Sequence, residues 1–250
     1  MRLVLVDLDG TMYDRGAAVP GAAEAIEALR GRGDVVRFFT NTDSQSAEGL
    51  LARARARGVP AGPGDLFSPV TAAQRHLGAT AGARVLLLGN DAVRGDLAAH
   101  CVLTDRDSTH VVVGDCHRDL TFELLDAAFR AVRGGAELIA LQRGRYTRNA
   151  DGDHLDTGAI VAAIEYAAEV EARLLGKPSP DFLRLAAGDM GDRDEIWVVG
   201  DDRATDIAMA VAAGARSVQV RTGKYADQRS RTDLPTPADV IDSVAELATL

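Results

Sequence analysis

Two regimes of apolar spacing alternate along the chain. Short continuous apolar runs, each closed by Gly, Asn or Asp, are separated by longer stretches with helical periodicity. Residues 2–7 form the first run, and LVLVDLDGTM carries it into two aspartates one residue apart, Asp7 and Asp9. Residues 19–29 then place apolar side chains at helical spacing, with Pro20 in the first turn. VVRFF at 35–39 reads as a second strand and residues 46–57 as a second helix. Strand, helix, strand, helix implies a parallel sheet with right-handed crossovers.

Near Pro69 the character changes. A helix is expected from about Thr71, strands at 84–88, 110–113 and 136–141, and a helix over 120–132. A further helix over 158–174 carries an apolar stripe of Ile160, Val161, Ile164 and Tyr166. This middle segment has the material for a sheet of its own, covered by helices. The first pattern returns at Lys177-Pro178-Ser179-Pro180, which opens a helix. A strand at 195–200 ends in Asp201-Asp202, followed by a helix over 204–213, a strand at 217–220 and a last helix from about Ala238. Strand-then-aspartate thus occurs twice, at Asp7 and at Asp201. In a parallel sheet both strands present their C-terminal ends at one edge, where open α/β sheets bind ligands.

Composition narrows the partners. The 250 residues are 46% hydrophobic, enough for one large domain or two modest ones. A net charge of −9 gives no electrostatic footprint for nucleic acid. It does not bar a small anionic substrate, because a metal and a few cations reverse the field inside a cleft. Cys101 and Cys116 have neither metal-ligand spacing nor the density of a disulfide scaffold, which points to a reducing, cytoplasmic setting. No apolar run approaches the length of a membrane span, so no membrane partner is expected.

Four stretches carry candidate chemistry. Asp7 and Asp9 are close enough for one carboxyl to stay ionised and attack while the other holds a proton; the structural alternative is an Asx-turn at a strand end. Gly10 permits an unusual turn after them, and Thr11 steadies the loop. Thr40 and Asn41 follow the second strand, where a hydroxyl, an amide and backbone N–H groups receive phosphate oxygens or, alternatively, where Thr42, Asp43 or Ser44 caps a helix. Lys177 stands between Gly176 and Pro178 and is either an ordinary surface lysine or the cation that neutralises a nucleophile and a phosphate oxygen. Asp201, Asp202 and Asp206 add negative charge beside a strand end. Together with Asp7 and Asp9 they need a cation, and hard oxygen donors favour Mg2+; the alternative is a helix start with Asp206 on an exposed face.

DLDGT, a strand ending in Thr-Asn, a lysine before proline, and GDDRATDI, in this order over the whole chain, resemble the haloacid dehalogenase (HAD) superfamily of phosphatases, in the large α/β-capped (NagD-like, type IIA) subgroup. Gly144-Arg145-Tyr146-Thr147-Arg148, Asp151-Gly152, the run from Gly158 to Ala167, and Val220 to Tyr225 are similar to the branch that includes phospholysine phosphohistidine inorganic pyrophosphate phosphatase and its HAD-domain-containing relatives. The resemblance implies an α/β fold: a Rossmann-like parallel-sheet core over 1–69 and 177–250, with an inserted α/β cap over 70–176. It implies Asp7 as nucleophile and Mg2+ ligand. Asp9 becomes the general acid/base, with its backbone carbonyl on the metal. Thr40, Asn41 and Lys177 hold the phosphoryl group, Asp201 is the late metal ligand, and Thr11, Asp202 and Asp206 support them. Arg143, Arg145 and Tyr146 follow the last strand of the cap and are either substrate readers facing the cleft or members of a solvated basic loop, and the subgroup's cap is the expected face of a homodimer. Thr42, where a second Asn is more usual, and Thr157-Gly158 depart from the pattern. The expected reaction is hydrolysis of a small phosphate ester, phosphoramidate or pyrophosphate. The rival readings are a metal-independent dehalogenase-type hydrolase and a non-catalytic phosphate-binding protein.

Overall fold

A computed structural model describes residues 2–149, 152–188 and 195–250, with the backbone alone at 147–149 and 153. The chain divides into two units. One comprises Met1–Thr40, Glu48–Phe67 and Lys177–Leu250, the other Asn41–Ala47 and Ser68–Gly176.

The first unit is built on six parallel strands in the spatial order Asp239–Ile241, Arg216–Val220, Ile196–Gly200, Leu3–Asp7, Val35–Phe39 and Leu66–Phe67. Leu3–Asp7 is buried throughout, as expected for an unbroken apolar run covered on both faces. The chain runs outward from it in one direction through Val35–Phe39 and in the other through Ile196–Gly200 and Arg216–Val220. The order therefore reverses at the pair Leu3–Asp7 and Ile196–Gly200, whose C-terminal ends flank the switch point. The helix Ala22–Gly31 turns Ala22, Ala25, Ile26 and Leu29 into the core, the spacing read from sequence. Trp197 is buried beneath the guanidinium groups of Arg2 and Arg216, each 4.5 Å from its ring centroid.

The second unit has a five-stranded parallel sheet in the order Arg173–Leu174, Glu137–Ala140, His110–Val113, Arg84–Leu88 and Val102–Leu103. An antiparallel hairpin, Tyr146–Asn149 with Gly152–Leu155, accompanies it. Its helices are capped by side chains. Ser68 and Thr71 form a reciprocal box at Pro69–Gly78, Asn90 caps Asp91–Ala98, Thr121 caps Phe122–Arg133 and Asp156 caps Thr157–Ala168. Together the units form an α/β fold in which a parallel core sheet carries an inserted α/β cap.

Three expected elements differ. The helix expected to reach residue 174 stops at Ala168, because Glu169 takes a left-handed conformation (φ 57°) and Arg173–Leu174 joins the sheet edge beside Ile139 and Ala140. Its buried face is Thr157, Val161, Ile164 and Ala168, whereas Tyr166 is 89% exposed. The terminal helix expected from Ala238 is instead the edge strand Asp239–Ile241 followed by a 3-10 turn over Val244–Thr249. Pairing of Ala238 N–H with Ser217 O (3.0 Å) starts that strand, and β-branched Val240 and Ile241 suit it. Residues 203–207 form a wide π-type turn before the helix Ala208–Ala213. Asp151 and the side chain of Arg148 lie outside the described residues. Among the described residues no helix is long and apolar enough to cross a membrane.

Candidate active site

Asp7 closes the central strand and is 3% exposed. Lys177 is buried beside it, and its ammonium donates to Asp7 Oδ1 at 2.6 Å and to Asp206 Oδ1 at 2.7 Å, lying 4.6 Å from the Phe39 ring centroid. The Thr11 hydroxyl reaches Asp7 Oδ2 at 3.4 Å, a long contact. Asp201 follows the neighbouring strand, and the Lys224 N–H donates to its Oδ2 at 2.7 Å. Two glycines make room for this carboxylate. Gly10 (φ 86°) and Gly223 (φ 57°) both sit where a Cβ would collide with Asp201, so both the backbone conformation and the close approach require glycine.

Asp7, Asp201 and Asp206 offer carboxylate oxygens within 4.8 Å of one another, all buried. This is a cluster able to coordinate a metal, and its donor chemistry suits a hard divalent cation. Asp206 has both oxygens engaged, Oδ1 by Lys177 and Oδ2 by the Asp202 N–H at 3.1 Å. Lys177 thus ties Asp206 to Asp7. Asp202 is itself held by Lys224 Nζ (2.7 Å), Gln228 Nε2 (2.8 Å) and the Ala204 N–H (2.8 Å).

The charges are unbalanced. Burial pushes Asp7 well above the usual carboxylate range; Lys177 pulls it back, while Asp206 and Asp201 add to the rise. Burial, then the Asp206 charge, raises Asp201 to about 7, and burial raises Asp206. Burial opposes the Lys177 ammonium, but Asp206 and Asp7 more than offset it and hold its pKa well above the ordinary value. Burial would raise Asp202 too, yet Lys224 and Gln228 keep it low.

A raised folded-state carboxyl pKa means that the native protein holds protons which the unfolded chain has released. The associated stability is complete below the unfolded pKa and is lost as pH rises through the folded one, here about 7 for Asp201. The metal-free protein therefore loses stability as pH rises across that window. A divalent cation competes with those protons. The rise in Tm produced by Mg2+ is expected to grow between about pH 5 and about pH 8 in thermal melts, and a pH-independent rise would contradict the assignment of the cluster.

Asp9 is placed differently. Its side chain is 57% exposed, and Oδ2 meets Arg53 Nη2 at 3.3 Å and the Tyr13 hydroxyl at 3.4 Å. Burial, then the Asp9 charge, pushes the Tyr13 hydroxyl up to about 12, so it stays a donor at neutral pH. Thr40 is buried one residue past Phe39, which pairs with Asp7, and its N–H donates to Phe67 O at 3.1 Å. Asn41 opens the segment Asn41–Ala47 of the second unit. In that unit Arg143 is paired with Glu165 (3.0 and 2.5 Å), while Arg145 and Tyr146 are exposed. Sequence reasoning gives no role to Lys224 or Arg53. The signal for Lys224 is present, because Gly223-Lys224 follows a third strand ending at this edge.

Residues 4–101 match the haloacid dehalogenase-like hydrolase family, and residues 174–247 match the HAD-hydrolase-like family. The chain is 37% identical over 226 residues to the haloacid dehalogenase-like hydrolase domain-containing protein 2 of Bos taurus, covering 90% of this chain and 86% of that protein. Among solved structures, a p-nitrophenyl phosphatase from Archaeoglobus fulgidus superposes with a TM-score of 0.90 at 27% identity, covering 99% of this chain and 98% of the other. A glycerol phosphate phosphatase from Mycobacterium tuberculosis in complex with magnesium has a TM-score of 0.85 at 28% identity, covering 98% of this chain and 75% of the other. With its central aspartate, buried lysine and late aspartate cluster arranged on this core, the chain belongs to the haloacid dehalogenase-like hydrolase family.

Proposed function

We propose that this protein is a Mg2+-dependent phosphohydrolase acting on small phosphorylated metabolites through an aspartyl-phosphate on Asp7. The observation that carries the reading is the buried Lys177 ammonium held between Asp7 and Asp206, with Asp201 completing a metal-competent cluster. The phosphatases similar in fold, one of them solved with magnesium, support the class of substrate and the choice of cation.

In the first step an Asp7 carboxylate oxygen forms a bond to phosphorus as the bond to the leaving oxygen or nitrogen breaks. Asp9 gives its proton to that leaving atom. In the second step Asp9 takes a proton from water, whose oxygen bonds to phosphorus, and the bond to Asp7 breaks, restoring both residues. Lys177 is fixed by Asp206 and neutralises charge on the phosphoryl oxygens, while Thr40 and Asn41 receive their lone pairs. Bound through Asp7, Asp201 and the Asp9 carbonyl, Mg2+ supplies further neutralisation of those oxygens. Thr11, Asp202 and Asp206 hold these groups in place. The exposure of Asp9 suits a group that must exchange protons with leaving group and water. Residues 1–69 and 177–250 form the catalytic core in this reading, and 70–176 the cap. Arg145 and Tyr146, with Arg143 turned to Glu165, bear on the choice among a phosphate ester, a phosphoramidate and pyrophosphate. The setting is cytoplasmic, with no nucleic-acid partner and a homodimer as the assembly.

A panel of small phosphates with and without Mg2+ tests the proposal. Turnover is expected only with the metal and is expected to be abolished by EDTA. Asp9→Asn is expected to lower kcat by about 10^2 to 10^4-fold while leaving Mg2+ affinity nearly unchanged. EDTA-insensitive release of halide from a haloacid would favour the dehalogenase reading instead, and full activity in D9N would remove Asp9 from its role.

A further inference from the structure

The second unit contains a cluster that the hydrolytic site does not use. His110 and Glu137 are the first residues of adjacent parallel strands and pair in register, so both stand at the N-terminal edge of that sheet. His76 lies in the last turn of the helix Pro69–Gly78, at the partially negative end of its dipole. His76 Nε2 is 3.4 Å and His110 Nε2 3.5 Å from the same atom, Glu137 Oε2. One donor atom from each residue lies within 4.8 Å of the others. Arg173 Nε donates to the opposite oxygen, Oε1, at 2.5 Å, which turns Oε2 toward the two rings.

Hydrogen bonding explains this arrangement poorly. Contacts of 3.4 and 3.5 Å are long for an imidazole and a carboxylate, whose charge-assisted bonds shorten to about 2.7–2.9 Å. The Thr109 hydroxyl lies 2.8 Å from His110 Nδ1 and holds that ring nitrogen, which leaves Nε2 as the one directed at Glu137 Oε2. Two ring nitrogens thus converge on one carboxylate oxygen at long contact distances, a geometry that has room for a cation between them.

We propose that His76, His110 and Glu137 form a binding site for a divalent transition metal, with Zn2+ as the best match. Two imidazole nitrogens and one carboxylate oxygen are borderline donors of the kind Zn2+ takes, and they differ from the all-oxygen set at Asp7 and Asp201. Tetrahedral bonds of about 2.0–2.1 Å put ligand atoms about 3.3–3.4 Å apart, which is close to both contacts with Oε2. Thr109 on Nδ1 and Arg173 on Oε1 are the outer partners that such ligands use to fix ring and carboxylate orientation. His76 and Glu137 are only half-buried, so the fourth position is open to solvent. The metal ties the end of one helix to the starts of two strands.

The test uses the full chain at saturating Mg2+, with Zn2+ as the probe in calorimetry and Co2+ as a spectroscopic substitute. The wild type is expected to take up one more equivalent of Zn2+ than His110→Ala or His76→Ala and to show the visible absorption of tetrahedral Co2+. Each ligand deletion is expected to weaken Zn2+ at this site by about 100-fold or more, and Thr109→Val by about 10–100-fold. Mg2+-dependent turnover is expected to persist in His76→Ala, whose half-buried position keeps the test open if the His110 variant does not fold. Equal Zn2+ uptake by wild type and His76→Ala, or Co2+ bound without tetrahedral absorption, would overturn the proposal without touching the hydrolytic reading.

Discussion

Asp7→Asn is expected to abolish turnover, with kcat reduced by about 10^4-fold or more, while the metal-free protein melts at or above the wild-type temperature. The two outcomes have one cause. Asn keeps the size of the side chain and an oxygen for Lys177 Nζ, which sits 2.6 Å from Asp7 Oδ1. It removes the nucleophilic carboxylate and one of the buried charges that crowd this end of the sheet. Burial already holds Asp7 well above the usual carboxylate range, so the ionised form is disfavoured in the folded state when no metal is bound. Replacing it with a neutral amide relieves that cost above the unfolded pKa of aspartate. Pre-steady-state assays and melts in EDTA check both arms. Residual turnover above about 1% would make Asp7 a ligand and not the nucleophile, because loss of a reacting atom is not compensated at that level. A fall in melting temperature would show that the Asp7 charge stabilises the metal-free fold.

The central strand and the residues at its end were legible because burial and chemistry leave the same mark there. LVLVD is a continuous apolar run, as a doubly covered parallel strand requires, and an aspartate ends it. The repeat of that mark at Gly200-Asp201 pointed to one sheet edge, and the strand order places the two strands side by side. Asp206 was ambiguous in sequence, since spacing of four from Asp202 also describes a solvent-facing helix. The π-type turn over 203–207 turns it inward onto Lys177, a local backbone choice that periodicity does not encode. Tyr166 and the segment from Ala238 were misread for a related reason. Both obey helical spacing or propensity locally, but Glu169 ends one helix and strand pairing with Val218 claims the other segment. The His76, His110 and Glu137 group was invisible because its members are 34 and 27 residues apart in sequence and meet only through strand register and helix packing.

Lys177→Met is expected to have the largest effect on stability. The Met side chain retains an apolar stem over Phe39 but leaves Asp7 and Asp206 facing each other without the ammonium that bonds both. Removing one partner of a buried ion pair costs about 3–5 kcal/mol, which for a chain of this size lowers Tm by roughly 6–20 °C. The loss of the cation on the phosphoryl oxygens is expected to reduce kcat by about 10^2 to 10^3-fold as well. The cause is charge, and charge makes three further demands that a packing defect does not. The destabilisation should shrink at acid pH, where the carboxyls take up protons. Mg2+ should restore more stability to the variant than to the wild type, since it replaces a missing positive charge. In the double variant Asp7→Asn with Lys177→Met, removing one carboxylate should recover more stability than Asp7→Asn adds to the wild type, a non-zero coupling between the two sites. Melts of the four proteins at two pH values, with and without Mg2+, distinguish these outcomes. A double variant as unstable as the sum of the singles would mean that the Lys177 ammonium and the Asp7 carboxylate act independently, and the electrostatic account of the site would fall with it.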